Sequence, residues 1–250
     1  MVFVSGWVLN ADMWEYQVPF FVDRGFRCVL LDRRGHGRSD RPSSGYDVNT
    51  RADDLAALIE HLDLRNAILV THSAGGGEAA RYLSRHGEER VSGVVFLGAT
   101  LPYLRLAEDN PEGIPEAINE ATLAQFRKDR PKWFADRAHG YFATHLGNDV
   151  SPALIEHEMQ RCMSASPFAT AEVWKSTFHT DFRADLRRLT VPTLIVHGVA
   201  DQSALIDVTG RRTRELVPHA VYREYPTAGH GLYVTHAEQL NAEILEFVKS

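Results

Sequence analysis

An α/β fold with a mostly parallel sheet is predicted by three features of the sequence. Short apolar runs recur along the chain, helix-like amphipathic stretches lie between them, and the alternation is broken once by a long segment with no convincing strand. The runs are "VFV" (Val2–Val4), "CVLL" (residues 28–31), "AILV" (67–70), "GVVFLG" (93–98), "TLIVHG" (Thr193–Gly198) and "VYREYP" (221–226). The middle four are nearly continuous in apolar residues, as strands covered on both faces of a parallel sheet are. Between them, "NTRADDLAALIEHLD" sets Leu55, Leu58, Ile59 and Leu62 on one helical face, with Asn49 or Thr50 as the expected N-cap. In "THAEQLNAEILEFVK", Thr235 and Glu238 read as a capping box and Leu240, Ile244, Leu245 and Val248 as the apolar stripe. Strands alternating with helices imply right-handed crossovers.

The interruption covers residues 101–189. It holds several helix-like pieces and many aromatics, among them Phe126, Trp133, Tyr141, Phe142 and Trp174. The expected division is a core made of residues 1–100 and 190–250, with 101–189 inserted as a helical cap. Most of these aromatics are expected to hold the cap together and a few to face a ligand cavity.

Composition narrows the function. The chain has 250 residues, 44% hydrophobic and 24% charged, with a net charge of −6 and no block of like charges. That balance suits a globular chain with a sizeable core and offers nothing to nucleic acid or an anionic membrane surface. No apolar stretch has the length of a membrane span and no leader pattern opens the chain, so a cytoplasmic protein is expected. Cys28 sits in a strand-like run and Cys162 in a helix-like one. Neither has a CxxC or clustered-histidine context, so no metal site and no cofactor are expected.

The chemistry centres on "ILVTHSAGGG", where an apolar run gives way to Ser73 and three successive glycines. A serine on a sharp strand-to-helix turn needs small neighbours, and Gly75 supplies one two residues on. Gly76 and Gly77 allow the helix to run close beneath the sheet. A nucleophilic serine needs a base, and the base an orienting acid. Asp201 follows the strand "TLIVHG", and His230 lies between glycines after the final strand, in "AGHG". A loop aspartate or a lone histidine is ordinarily a solvated surface residue. Ser, Asp and His in that order, each beyond a successive strand end, match the order of a hydrolytic triad. An oxyanion hole is then expected from the backbone N–H of Ala74 and from the loop after the first strand, at Trp7. Asp32, Gly35, His36, Gly37 and Ser39 in "DRRGHGRSD" are expected to shape a structural turn, and His72 and His197 to be hydrogen-bonded structural histidines.

The segments "SGW", "LLDRRGHGRSDRP", "THSAGGGEAARYL", "FLGATLPY", "PTLIVHG" and "AGHGLYVTHAEQLNAEILEF" resemble the cofactor-free, non-haem haloperoxidase-like branch of the α/β-hydrolases, which includes aryl esterases and a γ-lactamase. The resemblance runs nearly end to end and is patchy in the cap. It implies the α/β-hydrolase fold, Ser73 as nucleophile, His230 as base, Asp201 as acid, Trp7 and Ala74 as oxyanion donors, and no haem or metal. The chain departs from those proteins at Thr71, where glycine is usual; at Ser5, where histidine is usual; at Ala74, where methionine is common; and at Val8, where peracid-forming members often carry proline. Such proteins also carry an N-terminal hairpin that is absent ahead of Val2, so the strand at 28–31 is expected at an open edge able to pair with another chain, which leaves a homo-oligomer open.

The function expected is hydrolysis of small carboxylic esters or lactones through a serine acyl-enzyme. Amide or lactam hydrolysis and cofactor-free perhydrolysis or haloperoxidation are the alternatives within the same triad. A ligand-binding protein without turnover is the alternative of a different class.

Overall fold

A computed structural model describes residues 1–249. Six strands form one sheet: β1 (Val2–Val4), β2 (Val29–Leu31), β3 (Ala67–His72), β4 (Val91–Leu97), β5 (Thr193–Gly198) and β6 (Val221–Tyr225). Their spatial order is β2-β1-β3-β4-β5-β6 and every pair is parallel. β2 is an edge strand, as expected. The helices are α1 (Val18–Val22), α2 (Val48–His61), α3 (Ala74–His86), α4 (Glu116–Lys128), α5 (Arg130–Tyr141), α6 (Pro152–Ser164), α7 (Pro167–His179), α8 (Arg183–Arg187), α9 (Gly210–Leu216), α10 (Leu232–Thr235) and α11 (Ala237–Lys249). Five of them, α4 to α8, lie between β4 and β5, in the segment that lacks strand periodicity.

The apolar runs become strands because both sheet faces are covered. Alternate residues enter opposite cores: Val2, Val4, Leu69, Val94, Phe96 and Ile195 pack with α2 and α3, whereas Phe3, Val70, Val95, Leu97 and Val196 pack with α11 and the segment after β1. On α2, Leu55 and Ile59 are fully buried, and on α11 Leu240 and Ile244. Two expected caps lie elsewhere. α2 starts at Val48, and its N-cap is Asp47, whose carboxylate accepts from Thr50 N at 2.9 Å, because the helix begins earlier than the polar Asn-Thr pair. Thr235 closes the short α10, its hydroxyl turned to Gly231 O and His236, while α11 begins at Ala237. The glycines around His230 turn the chain into a helical turn sooner than the capping-box pattern implied.

An ion cluster is buried between α2 and α3. Glu78 of α3 accepts from Arg33 Nε at 2.6 Å and from Arg51 Nη1 of α2 at 2.5 Å, and all three side chains are almost fully buried. Removing the one carboxylate leaves two guanidinium charges without an ionic partner, a loss of about 3–5 kcal/mol for a broken buried pair. Glu78→Gln is therefore expected to lower unfolding free energy by about that amount in urea titration. A loss below about 1 kcal/mol would show that the cluster is compensated by backbone carbonyls alone.

Candidate active site

β2 lies on one side of β1 and β3 on the other, so the strand order reverses there and a crevice opens above the carboxyl ends of β1 and β3. The loop after β1 carries Ser5, Gly6 and Trp7; Ser73 and Ala74 follow β3; Asp201 follows β5; His230 follows β6. All five predicted site residues thus leave the sheet from its carboxyl edge. Trp7, Ser73, Ala74 and His230 line one cavity of about 410 Å³.

Ser73 has φ +53° and ψ −121°, a strained conformation for a residue with a side chain. It is held from both sides: its N–H donates to Leu97 O at 2.9 Å, and its carbonyl accepts from Gly76 N at 3.0 Å and Thr100 N at 3.3 Å. A Cβ at Gly75 would stand 2.6 Å from Val4 O and 2.8 Å from Ser5 O, so glycine is required for α3 to start this close to β1. Gly76 answers to Ala99 beyond β4 and Gly77 to the Phe182 ring, so only part of the glycine run serves the sheet. Thr71 meets no crowded turn. It is still within β3, and its hydroxyl donates to Val95 O at 2.9 Å.

Asp201 and His230 are joined. His230 Nδ1 lies 2.6 Å from Asp201 Oδ2, while Asp201 Oδ1 accepts from the backbone N–H groups of Ser203 and Ala204, each at 2.8 Å. Burial opposes the Asp201 charge, but the His230 ring and the hydrogen bonds from His197 and His230 outweigh it and hold the carboxyl below its ordinary range. His197 Nε2 is 2.8 Å from Ala204 O, and His72 Nε2 is 3.0 Å from His230 O. Both are the bonded histidines the sequence suggests, and they pin the loops that carry Asp201 and His230.

The loop after β1 is held by its carbonyls, not by the side chain at Ser5. Arg33 donates to Ser5 O at 2.7 Å, Gly6 O at 2.9 Å and Trp7 O at 3.2 Å. In a trans peptide the N–H points opposite to the preceding carbonyl. Fixing Gly6 O therefore turns the Trp7 N–H away from Arg33, just as fixing Ser73 O turns the Ala74 N–H away from α3. The Trp7 indole donates to Thr170 O of α7 at 2.7 Å and packs against Phe126, Trp133 and Trp174 of α4, α5 and α7. Arg33 and Glu78 escaped the sequence reading because an arginine in a polar turn and a glutamate on a helix look solvated. The rest of "DRRGHGRSD" is a structural turn: Asp32 accepts from Ala11 N and Arg38 N, and Ser39 donates to Asp32 O.

Cys162 lines the same cavity and Cys28 packs at the sheet edge; both are free thiols. Among the described residues there is no group of three or more His, Cys, Asp or Glu side chains able to hold a metal ion, and no helix long and apolar enough to cross a membrane.

Two site-adjacent histidines link acidity to stability. Burial, then the Arg33 charge, hold His36 down to about 3 from 6.5. Burial, then the His230 charge, keep His72 well below 6.5. Below about pH 6.5 the unfolded chain protonates these rings while the folded chain does not, so the unfolded state binds more protons and stability falls with pH. The urea midpoint should drop from about pH 6.5 downwards, before the Asp201 contribution begins to be lost below the ordinary carboxylate range near pH 4. His36→Asn should flatten that slope; an unaltered slope would contradict the assignment. Ser73→Gly, which accepts positive φ, should raise stability by about 1 kcal/mol where Ser73→Ala does not.

The alpha/beta hydrolase fold family matches residues 1–237. The chain is 40% identical to a non-heme chloroperoxidase of Streptomyces lividans, over all of this chain and 91% of that protein. It is 35% identical to a bifunctional esterase/perhydrolase of Acinetobacter calcoaceticus, over 99% of this chain and 91% of the relative. Among solved structures, an esterase from Exiguobacterium antarcticum superposes with a TM-score of 0.94 at 30% identity, covering all of this chain and 91% of its own.

Proposed function

The chain belongs to the alpha/beta hydrolase fold family, in its non-haem haloperoxidase and esterase branch, and is an enzyme; from that premise we propose that it hydrolyses small carboxylic esters or lactones through an acyl-enzyme on Ser73. The observation that carries the reading is the His230–Asp201 pair, 2.6 Å apart, with His230 and the strained Ser73 lining one cavity. His230 takes the Ser73 proton as Oγ attacks the carbonyl, and Asp201 holds the imidazole with Nδ1 protonated. The backbone N–H groups of Trp7 and Ala74 receive the oxyanion. The alcohol leaves with the proton from His230, and a water activated by the same ring releases the acid and regenerates Ser73.

The walls suit an apolar acyl or aryl group. Trp7, Trp133, Phe134 and Trp174 face the cavity, and residues 101–189 act as its cap. Ala74, small beside the nucleophile, widens the acyl side. Perhydrolysis is the second reading, favoured by the named activity of the Acinetobacter relative. Hydrogen peroxide would then replace water in the second step and the acyl group would leave as a peracid.

The test is hydrolysis of p-nitrophenyl acetate and butyrate. Wild type should turn over and Ser73→Ala should lose at least about a thousandfold in kcat. Equal rates in the two proteins would remove Ser73 as the nucleophile. Arg33→Lys replaces a fork with a point charge that cannot hold three carbonyls and Glu78 at once. Its kcat should fall roughly ten- to hundredfold, short of the loss of a whole oxyanion donor, with KM changed less. An unchanged kcat would mean that the Trp7 loop keeps its geometry without Arg33.

A further inference from the structure

The cavity is aromatic and aliphatic over most of its wall, yet one side carries a row of buried and half-buried polar groups. Tyr141, the last residue of α5, donates to the Tyr233 hydroxyl of α10 at 3.1 Å. Tyr233 in turn donates to Glu158 Oε2 of α6 at 3.0 Å. The other Glu158 oxygen meets Arg161, which is also 2.6 Å from Glu15 near the surface. Tyr141, Tyr233 and Glu158 all line the cavity. Packing alone does not call for this row, since apolar side chains at all three positions would fill the wall without burying a carboxylate.

The row has a direction. Burial raises the Glu158 carboxyl, but its two oxygens face the Arg161 guanidinium, which can only donate, and the Tyr233 hydroxyl, so the pairing is that of a carboxylate. A carboxylate only accepts, and a tyrosine has one proton to give. Tyr233 commits its proton to Glu158, so Tyr141 commits its own to Tyr233. The Tyr141 oxygen is left with acceptor capacity only. Its place relative to the base is fixed. The Tyr141 and His230 rings lie 5.4 Å apart, and the main-chain carbonyl of Tyr141 accepts from the backbone N–H of Gly231 at 2.8 Å. An ester's alcohol oxygen must approach the base to take its proton on leaving, so the alcohol portion lies on the His230 side, against this wall.

We propose that the Tyr141 hydroxyl oxygen selects esters whose alcohol portion carries a hydrogen-bond donor beside the scissile oxygen, as in monoesters of vicinal diols. This rests on the reading of Ser73 and His230 given above. The Tyr141 oxygen accepts from the free hydroxyl, and Tyr233, Glu158 and Arg161 hold it in the accepting state.

The test compares kcat/KM for 2-hydroxyethyl, 2-methoxyethyl and n-propyl butyrate, with p-nitrophenyl butyrate as the reference. Wild type should favour the hydroxyethyl ester over the other two by about five- to tenfold, the scale of one neutral hydrogen bond. Tyr141→Phe should bring all three within about twofold of each other, whatever their common level. Tyr233→Phe frees the Tyr141 proton, so the methoxyethyl ester should rise to match the hydroxyethyl ester while the propyl ester stays behind. A merely structural role would lower all three together and leave the ratios fixed. Turnover of p-nitrophenyl butyrate without the wild-type preference, or a preference that survives Tyr141→Phe, overturns this assignment alone. If p-nitrophenyl butyrate is not hydrolysed either, the serine-ester reading falls and this assignment with it. Should Tyr233→Phe fail to fold, the Tyr141→Phe ratios decide.

Discussion

A guanidinium buried in a protein must have its charge balanced and its N–H groups bonded, because neither can be left to water. Arg33 meets both needs at the centre of this molecule, and the site follows from how it does so. Glu78 balances the charge and belongs to α3, the helix that starts directly after Ser73. The remaining N–H groups find the carbonyls of Ser5, Gly6 and Trp7. One side chain therefore ties the loop after β1 to the helix after β3. Arg51 joins Glu78 to α2 and reaches Thr177 of α7, which carries the tie into the segment between β4 and β5.

This clamp and the strain at Ser73 depend on each other. The positive φ at Ser73 persists because its own N–H and C=O are bonded to Leu97, Gly76 and Thr100. The turn also needs the β1 backbone within van der Waals reach of Gly75. A loop free to drift would relax that contact. Arg33 holds the carbonyls of this loop, and Gly6 N donates to Met13 Sδ, without any contribution from the side chain at position 5.

The helices between β4 and β5 give the cavity two kinds of wall. The indole of Trp7 is gripped by Thr170 and surrounded by rings from α4, α5 and α7, a rigid apolar face that leaves no polar group unpaired at Trp7 Nε1. The opposite side carries the Tyr141–Tyr233–Glu158 row beside the base. Apolar surface sets what can enter, and one oriented polar atom can discriminate among what fits.

The sequence by itself determined the strands, the order of Ser73, Asp201 and His230 along the chain, and the glycine two residues after the serine. These are local or sequential facts: apolar runs mark strands covered on both faces, and Gly75 answers a clash with backbone that any such turn creates. It also marked residues 101–189 as a helical insertion, since no strand periodicity occurs there. Only the tertiary structure decided which polar residues are buried. Arg33, Glu78 and Glu158 sit in stretches of ordinary polarity, and nothing in their neighbours distinguishes them from solvated side chains, while the sequence carries no sign of what the Tyr141 and Tyr233 hydroxyls bond to. Their roles come from partners 45, 27, 92 and 75 residues away in the chain. Periodicity reports burial of apolar faces, whereas a buried charge or hydroxyl is legible only once its partner has been brought beside it.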